Sequence, residues 1–143
     1  MGSKIYRGVL IVNVTAMLLQ SLFAGRLLGG DARSLLLHER TAKFLVLLAV
    51  AQLMLAIYLR IRSDFPRWIP LASAGLLLAE VIEFAAGDLH KLAVHVPLGV
   101  AIFGGMLRQL LWSAGAPGHT APLEAPKEAS HFSPDLFRRF LQH

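Results

Sequence analysis

Four long stretches of the chain carry no charged residue, and this feature constrains the fold more than any other. A helix needs about 20 mostly apolar residues to cross the hydrocarbon core of a bilayer. The charge-free stretches approach that length once flanking residues are added, and they cover residues 9–25, 44–59, 68–79 and 92–107. The mean hydropathy of +0.57 is also high for a soluble domain. We therefore predict four transmembrane helices over residues 7–28, 39–61, 68–87 and 91–112.

The links between these helices are short, which restricts how the helices can pack. They contain the segments "GGDARSLL", "IRSDFPR" and "GDLH". Short links force consecutive helices to run antiparallel. We expect an all-α integral membrane protein, an up-down-up-down four-helix bundle within residues 1–112. A soluble four-helix bundle is the alternative, but each of its helices would need a wide polar face, which the charge-free stretches lack.

The chain changes character after residue 112. Residues 113–132 are rich in Ala, Pro and Gly, and this composition predicts a flexible tail. Residues 133–143 begin with Ser133 and Pro134, which favour a helix start. We predict a short amphipathic helix there, lying on the membrane surface or docking on a partner subunit. A frayed end is the alternative.

The distribution of Lys and Arg predicts the orientation in the membrane. Nine of these residues lie on the side that holds the N-terminus, the second link and the C-terminal tail, and five lie on the other side. The positive-inside rule then places both termini in the cytoplasm. The membrane we expect is a bacterial inner membrane.

Composition also narrows the kinds of cofactor and partner. The chain has no cysteine, so it cannot supply a disulfide, an iron–sulfur cluster or a thiolate-bound zinc. The net charge is +5, but the basic residues lie mostly at helix ends and in the tail. This pattern indicates contact with the lipid bilayer and not with nucleic acid.

Two histidines stand out because polar groups are costly in a membrane-spanning segment. His38 lies next to the second predicted helix and His95 lies in the fourth. Both belong to the same end of an up-down-up-down bundle, so they can face each other at one height. Ala42 and Gly99 follow them by four residues, one helical turn. These small residues leave space for a flat macrocycle, or they simply permit close helix packing.

Two neutral imidazoles that face each other suit the axial positions of a haem iron. We therefore predict His38 and His95 as metal ligands of a b-type haem, with Ala42 and Gly99 beside the macrocycle. Haem propionates need basic partners at the membrane edge, and the candidates are Arg26, Arg33 and Arg40. A zinc site is less well supported, because few histidines and no cysteine are near. The magnesium of a chlorophyll is a further metal that these histidines could bind.

Three further ionisable residues lie near the same end. His90 and His95 are five residues apart and point in different directions, so we place His90 at the membrane interface. Glu80 and Glu83 lie on one face of the third helix. Either carboxylate could accept the outer N–H of a ligand histidine, or carry protons beside a quinone, or pair with Arg26 or Lys91.

The chain resembles known membrane cytochromes over roughly residues 5–112. The resemblance rests on "QSLFAG" at the end of the first helix, "LHER" at the start of the second and "HVP" in the fourth. The layout is similar to one four-helix half of haem A synthase, to cytochrome b561-type bundles, and to small bacterial four-helix membrane proteins. The synthase has a glutamate one turn before its helix-2 histidine, whereas Ser34 and Leu35 lie there in this chain. The resemblance implies haem binding by His38 and His95, without the synthase chemistry.

These features predict a haem protein that passes single electrons to or from quinol or a partner membrane subunit. We do not expect an enzyme on its own, and assembly with other subunits or as a homo-oligomer is expected. A cofactor-free accessory subunit that scaffolds a larger membrane complex is the main alternative. A small transporter that uses the two carboxylates is the third, although the chain is short for that role.

Overall fold

The chain folds into four long α-helices. The computed structural model describes the backbone of residues 2–115 and the side chains of residues 4–115. This part of the chain contains no β-strand, and its helices are α1 (Gly2–Leu28), α2 (Arg33–Arg62), α3 (Trp68–Asp88) and α4 (Leu92–Ser113). The predicted all-α class is confirmed. The predicted helix over residues 133–143 and most of the tail over residues 113–132 lie outside the described residues.

The helices form a closed ring in which each helix packs against two neighbours. Contacts join α1 to α2, α2 to α3, α3 to α4, and α4 back to α1. The links contain only three to five residues, so consecutive helices are antiparallel. We call the end where α2 and α4 begin the histidine end, and the opposite end the terminal end. The arrangement confirms the up-down-up-down bundle.

Two helices begin earlier than the sequence predicts. Helix α1 begins at Gly2 and not at residue 7, and α2 begins at Arg33 and not at residue 39. The prediction began each helix close to its charge-free stretch, whereas the structure continues both helices through charged residues. Long basic side chains can extend from a helix toward the headgroups while their stems cover apolar surface. The earlier start of α2 places His38 inside the helix.

The surface of the bundle is apolar and its interior holds polar groups, the reverse of a soluble protein. Leu47, Ile61, Leu71 and Val100 are each about two-thirds exposed or more. The buried polar residues of the described part are Asn13, Ser34, Gln52, Ser73, Glu80 and Gln109. Each helix is long and apolar enough to cross a membrane. The protein is therefore a membrane bundle whose outer face suits lipid.

A layer of hydrogen-bonded side chains joins all four helices in the terminal half of the bundle. Gln52 of α2 accepts a hydrogen bond from Asn13 of α1 at 2.8 Å. Its amide nitrogen donates to Gln109 of α4 at 3.0 Å and to Ser73 of α3 at 3.3 Å. Tyr6 of α1 donates to Gln109 at 2.6 Å. We call the four residues Tyr6, Gln52, Ser73 and Gln109 the polar layer, and Asn13 is hydrogen-bonded to it through Gln52.

The position of other residues along the bundle axis can be described by their distance from the polar layer. Each helix contributes one residue that lies fourteen positions from a member of the polar layer, toward the histidine end. Fourteen residues are two heptads, so the later residue returns to nearly the same face about 21 Å along the helix. The four pairs are Tyr6 with Gln20, Gln52 with His38, Ser73 with Gly87, and Gln109 with His95. The residues halfway between are Asn13, Leu45, Glu80 and Ile102, and all four are buried. We call them the middle layer.

Apolar clusters fill the space on both sides of the polar layer. The cluster at the terminal end contains Tyr6, Leu10, Ala56, Leu59, Phe65 and Ile69. The cluster toward the histidine end contains Ala16, Met17, Leu45, Ile102 and Met106. The polar layer is therefore closed off from the terminal end by packed apolar side chains.

Two helices end at the histidine end with the same backbone motif. Helix α1 closes with a hydrogen bond from the Asp31 nitrogen to the Arg26 oxygen, and Gly30 has a φ of +94°. Helix α3 closes with a bond from the Lys91 nitrogen to the Ala86 oxygen, and His90 has a φ of +56°. Glycine is the residue that this left-handed position favours. His90 is therefore strained by its backbone.

We expect Gln52→Met to destabilise the bundle by about 1–3 kcal/mol, because the buried partners of Gln52 lose their hydrogen bonds while the volume is kept. The measurement is the thermal or denaturant unfolding of the purified protein in detergent micelles. Leu47→Met is the control, since Leu47 lies on the lipid-facing side of the same helix. Equal stability of the two variants would contradict the structural role of the polar layer.

We expect His90→Gly to raise the stability by about 1 kcal/mol, because glycine adopts a positive φ without steric cost. The same unfolding measurement checks it. Gly30→Ala is the matched variant at the equivalent position of α1, where an added methyl group would contact nothing within 4 Å. That variant should lose stability through backbone strain alone. If the His90→Gly protein is no more stable than the parent, the conclusion that the backbone of His90 is strained is contradicted.

Candidate functional site: the histidine pair

The structure brings the two predicted histidines together. His38 lies in the second turn of α2 and His95 in the first turn of α4. Their ring centroids are 6.1 Å apart and the rings are inclined by 72°. Helices α2 and α4 are opposite each other in the ring of helices, so the imidazoles meet across the bundle interior.

Residue Gln20 of α1 holds the ring of His38. The His38 Nδ1 atom lies 3.2 Å from the main-chain oxygen of Gln20, and its Nε2 atom lies 3.3 Å from the amide nitrogen of Gln20. A carbonyl oxygen can only accept, so Nδ1 carries the hydrogen. In the neutral ring Nε2 then has a free lone pair, to which the amide of Gln20 donates.

Residue Glu83 of α3 holds the ring of His95 in a comparable way. The His95 Nδ1 atom lies 3.0 Å from the main-chain oxygen of Glu83 and 3.0 Å from its carboxylate Oε1. Nδ1 again donates, and Nε2 of the neutral ring keeps its lone pair. A carboxylate or carbonyl that accepts the outer N–H is the usual partner of a metal-binding histidine. Glu83 thus adopts one of the arrangements that the sequence predicted for the carboxylates.

Two glycines provide the space for these contacts. A Cβ atom on Gly87 would lie 3.0 Å from Cε1 of His95, so this glycine makes room for the imidazole. A Cβ atom on Gly99 would lie 2.9 Å from Oε1 of Glu83. The sequence assigned the space beside Gly99 to a macrocycle, whereas in the structure the Glu83 carboxylate lies there. Ala42 is half-buried one turn from His38.

The basic residues predicted to surround a macrocycle differ in their surroundings. Arg26 forms an ion pair with Asp31 at 2.7 Å. This hydrogen bond lowers the pKa of the Asp31 carboxyl, which also accepts from Ser34. The pair ties the end of α1 to the start of α2. Arg33 and Arg40 are exposed at the histidine end. His90 is exposed as predicted.

The second carboxylate of α3 lies deeper in the bundle. Glu80 is 4% exposed, and both of its carboxylate oxygens are buried without a hydrogen-bond partner among the described residues. The alternative that the carboxylates pair with Arg26 is wrong, because Arg26 binds Asp31 and Glu83 contacts His95. Lys91 is exposed at the membrane edge.

The donor set indicates what the site can bind. Residues 2–115 contain no group of three or more His, Cys, Asp or Glu side chains placed to hold a metal ion. Two histidines alone suit an ion whose other ligands come from a macrocycle. A metal–imidazole bond is about 2 Å long, so two imidazoles on opposite sides of one ion have centroids roughly 6 Å apart. The observed separation of 6.1 Å fits this requirement.

Binding of a macrocycle would require the Gln20 side chain to move, and also the Glu83 carboxylate that occupies the space beside Gly99. The Nε2 atom of His38 accepts a hydrogen bond from the amide of Gln20, so that amide must turn before Nε2 can bind a metal. The Oε1 atom of Gln20 is itself buried without a partner in the described structure. In the described structure the Gln20 side chain is therefore held by one hydrogen bond, from its amide nitrogen to His38.

Sequence reasoning missed Gln20 and Gly87 as parts of this site. Both lie fourteen residues from members of the polar layer, as the two histidines do. This spacing was present in the sequence, but it becomes informative only when the residues that share one height are known.

We compared the chain with protein-family models, with curated proteins and with solved structures, and none of them matched.

We expect Gly99→Ala to break the contact between the Glu83 carboxylate and His95, while the fold and the hydrogen bond to the Glu83 main-chain oxygen are kept. The added methyl group meets the far end of a flexible side chain, so the carboxylate can swing away at little cost. The side-chain ¹⁵N resonances of His95 should shift in the labelled protein. Gly104→Ala is the matched control on the same helix, because a methyl group there contacts nothing within 4 Å. Identical His95 resonances in both variants would refute the contact.

Proposed function

We propose that the protein is a membrane b-type cytochrome. In this proposal His38 and His95 hold the iron of one haem b, and the protein passes single electrons to or from quinol or a partner membrane subunit. The observation that carries the proposal is the 6.1 Å separation of two imidazoles on opposite helices. The family resemblance noted in the sequence supports the same conclusion.

The tautomers of the two histidines support a ligand role. Each Nδ1 atom donates to a main-chain oxygen, of Gln20 in one case and of Glu83 in the other. Each Nε2 atom is therefore the nitrogen with the lone pair. Such anchoring orients the rings before any ligand arrives, and it is the arrangement that surrounds histidines in metal sites.

The absence of cysteine supports the haem type. A c-type haem needs thiol groups for covalent attachment, and the sequence contains none. A bound b-type haem supplies an iron that changes oxidation state by one electron. Because His38 and His95 would both hold the iron, binding of oxygen would be suppressed and electron transfer would be favoured.

The surroundings of the site suit a membrane location. Arg33 and Arg40 are exposed at the histidine end and can pair with propionates, and Arg26 would do so only by leaving Asp31. A lipid-facing apolar groove of about 320 Å³ lies between α2 and α3 and offers a place for a quinol tail; it is lined by Lys43, Val46, Leu47, Val81 and Phe84. By the positive-inside rule both termini would be cytoplasmic, in a bacterial inner membrane.

A second function is supported by the packing below the histidines. The Glu83 carboxylate fills the space beside Gly99, and apolar side chains such as Leu45 and Ile102 fill the interior beneath. A bundle packed in this way needs no cofactor. In the alternative proposal the chain is an accessory subunit, and its exposed apolar surface contacts other subunits of a membrane complex.

The absorbance spectrum of the purified protein separates the two proposals. We expect reduced-minus-oxidised bands of a b-type haem. His38→Ala and His95→Ala should each lower the haem content roughly tenfold or more, since even changes outside the ligand shell cost 10–100-fold. His90→Ala is the matched control, because His90 is an exposed histidine at the same end. A folded, colourless protein from cells supplied with haem would instead support the accessory subunit.

A further inference from the structure

The middle layer contains a carboxyl group, that of Glu80, which has no hydrogen-bond partner among the described residues. Glu80 lies seven residues from Ser73 and seven from Gly87 on α3. Ser73 contacts residues of the other three helices, and Gly87 contacts His95, so this face of α3 points to the bundle axis. Glu80 therefore lies on the axis, about 10 Å from the polar layer and about 10 Å from the histidine pair.

Burial makes an ionised Glu80 very costly. The side chain is 4% exposed, and neither oxygen has a hydrogen-bond donor among the described residues. No basic residue forms an ion pair with it in that part of the chain. An isolated carboxylate in a low-dielectric interior loses its hydration without compensation, and such a group is normally neutral instead.

A second buried group in the middle layer, the amide of Asn13, lacks a hydrogen-bond donor, which a protonated carboxyl group can supply. Asn13 is fully buried, and its Oδ1 atom has no hydrogen-bond donor in the described structure. Its amide nitrogen is already used, since it donates to Gln52. A protonated carboxyl has one O–H donor, whereas a carboxylate has none. The middle layer thus contains an acceptor without a donor and an acid that provides one only when it is protonated.

The groups around Glu80 do not supply another source of charge compensation. In the middle layer α1 contributes the amide of Asn13, α2 contributes Leu45 and α4 contributes Ile102. The titratable groups that face the interior beyond this layer are His38 and His95 with Glu83 toward the histidine end, and Tyr6 toward the terminal end. None of them is a fixed positive charge.

We propose that Glu80 is a proton-binding site in the membrane interior, a carboxyl group that holds its proton at neutral pH and shares it with the amide oxygen of Asn13. The ligand is a proton and not a metal cation, because a cation would need several oxygen ligands that the middle layer does not offer. Of the two ends of the bundle, the histidine end is the more open to solvent, since the Glu83 and His95 side chains there are 16% and 19% exposed. The terminal end is closed by the apolar cluster around Phe65 and Ile69. This site does not depend on a haem.

Infrared spectroscopy of the full chain in lipid nanodiscs tests the proposal. We expect the C=O stretching band of a protonated carboxyl at neutral pH, which shifts in heavy water. Glu80→Gln should remove that band, and Asn13→Leu should move it, because the hydrogen bond to Oδ1 is lost. Glu39→Gln is the control on an exposed glutamate and should leave it unchanged. A wild-type spectrum without the band, or a band that persists in Glu80→Gln, overturns the proposal.

Chemical labelling of the wild-type protein gives a test that needs no variant to fold. A hydrophobic carbodiimide adds to neutral carboxyl groups in apolar surroundings, and mass spectrometry locates the adduct. We expect the label on Glu80, with labelling that falls as the pH is raised. If sodium suppresses the labelling at constant pH, the site binds a metal cation, and the proposal that it binds a proton is overturned. If the protein is colourless but is still labelled at Glu80, the proposed haem function is rejected and the proposed proton site is retained.

Discussion

The hydrogen bonds of one side chain, Gln52, hold the structure in register. Its amide contacts Asn13 of α1, Ser73 of α3 and Gln109 of α4, so a single residue joins all three other helices. Hydrocarbon offers no hydrogen-bond partner, and apolar surfaces alone allow helices to slide past one another. A slide of one turn would leave several of these groups unsatisfied. The polar layer therefore specifies the relative heights of the helices.

The candidate site is a consequence of that register. His38 and His95 are each fourteen residues from a member of the polar layer, on helices that run in the same direction. Matching distances from a common level bring the two imidazoles to a common height about 21 Å away. Gln20 and Gly87 reach the same height by the same spacing, and they anchor or accommodate the rings. The polar layer and the histidine pair are thus two ends of one arrangement.

Three acidic residues, Asp31, Glu83 and Glu80, lie at increasing depth from the histidine end and differ in their surroundings and chemistry. Asp31 is at the membrane edge and is compensated by Arg26. Glu83 is partly buried, and its carboxylate Oε1 lies 3.0 Å from Nδ1 of His95. Glu80 is buried, and its carboxylate has no such partner among the described residues. The gradient follows depth, because water and long basic side chains reach the membrane edge but not the bundle axis. Of these three, Glu80 alone lacks a partner for its carboxyl group among the described residues, and in our proposal it holds a proton.

The sequence by itself determined that the chain forms four helices long and apolar enough to cross a membrane, since four stretches of 12 to 17 residues without charge leave few other folds. It also determined which end of the bundle holds His38 and His95, because short links force antiparallel helices. It did not determine where α1 and α2 begin, because charged residues such as Lys4 and Arg33 are tolerated in a helix at the membrane edge.

Only the tertiary structure decided which polar residues meet. Asn13, Gln52 and Ser73 are visible in the sequence as costly polar groups, but their pairing with Tyr6 and Gln109 depends on the axial offset and rotation of each helix. The space beside Gly99 is likewise filled by Glu83, a residue sixteen positions away on another helix. Helical periodicity reports which face a residue occupies, whereas the partner across the bundle is set by packing, and packing is a property of all four helices together.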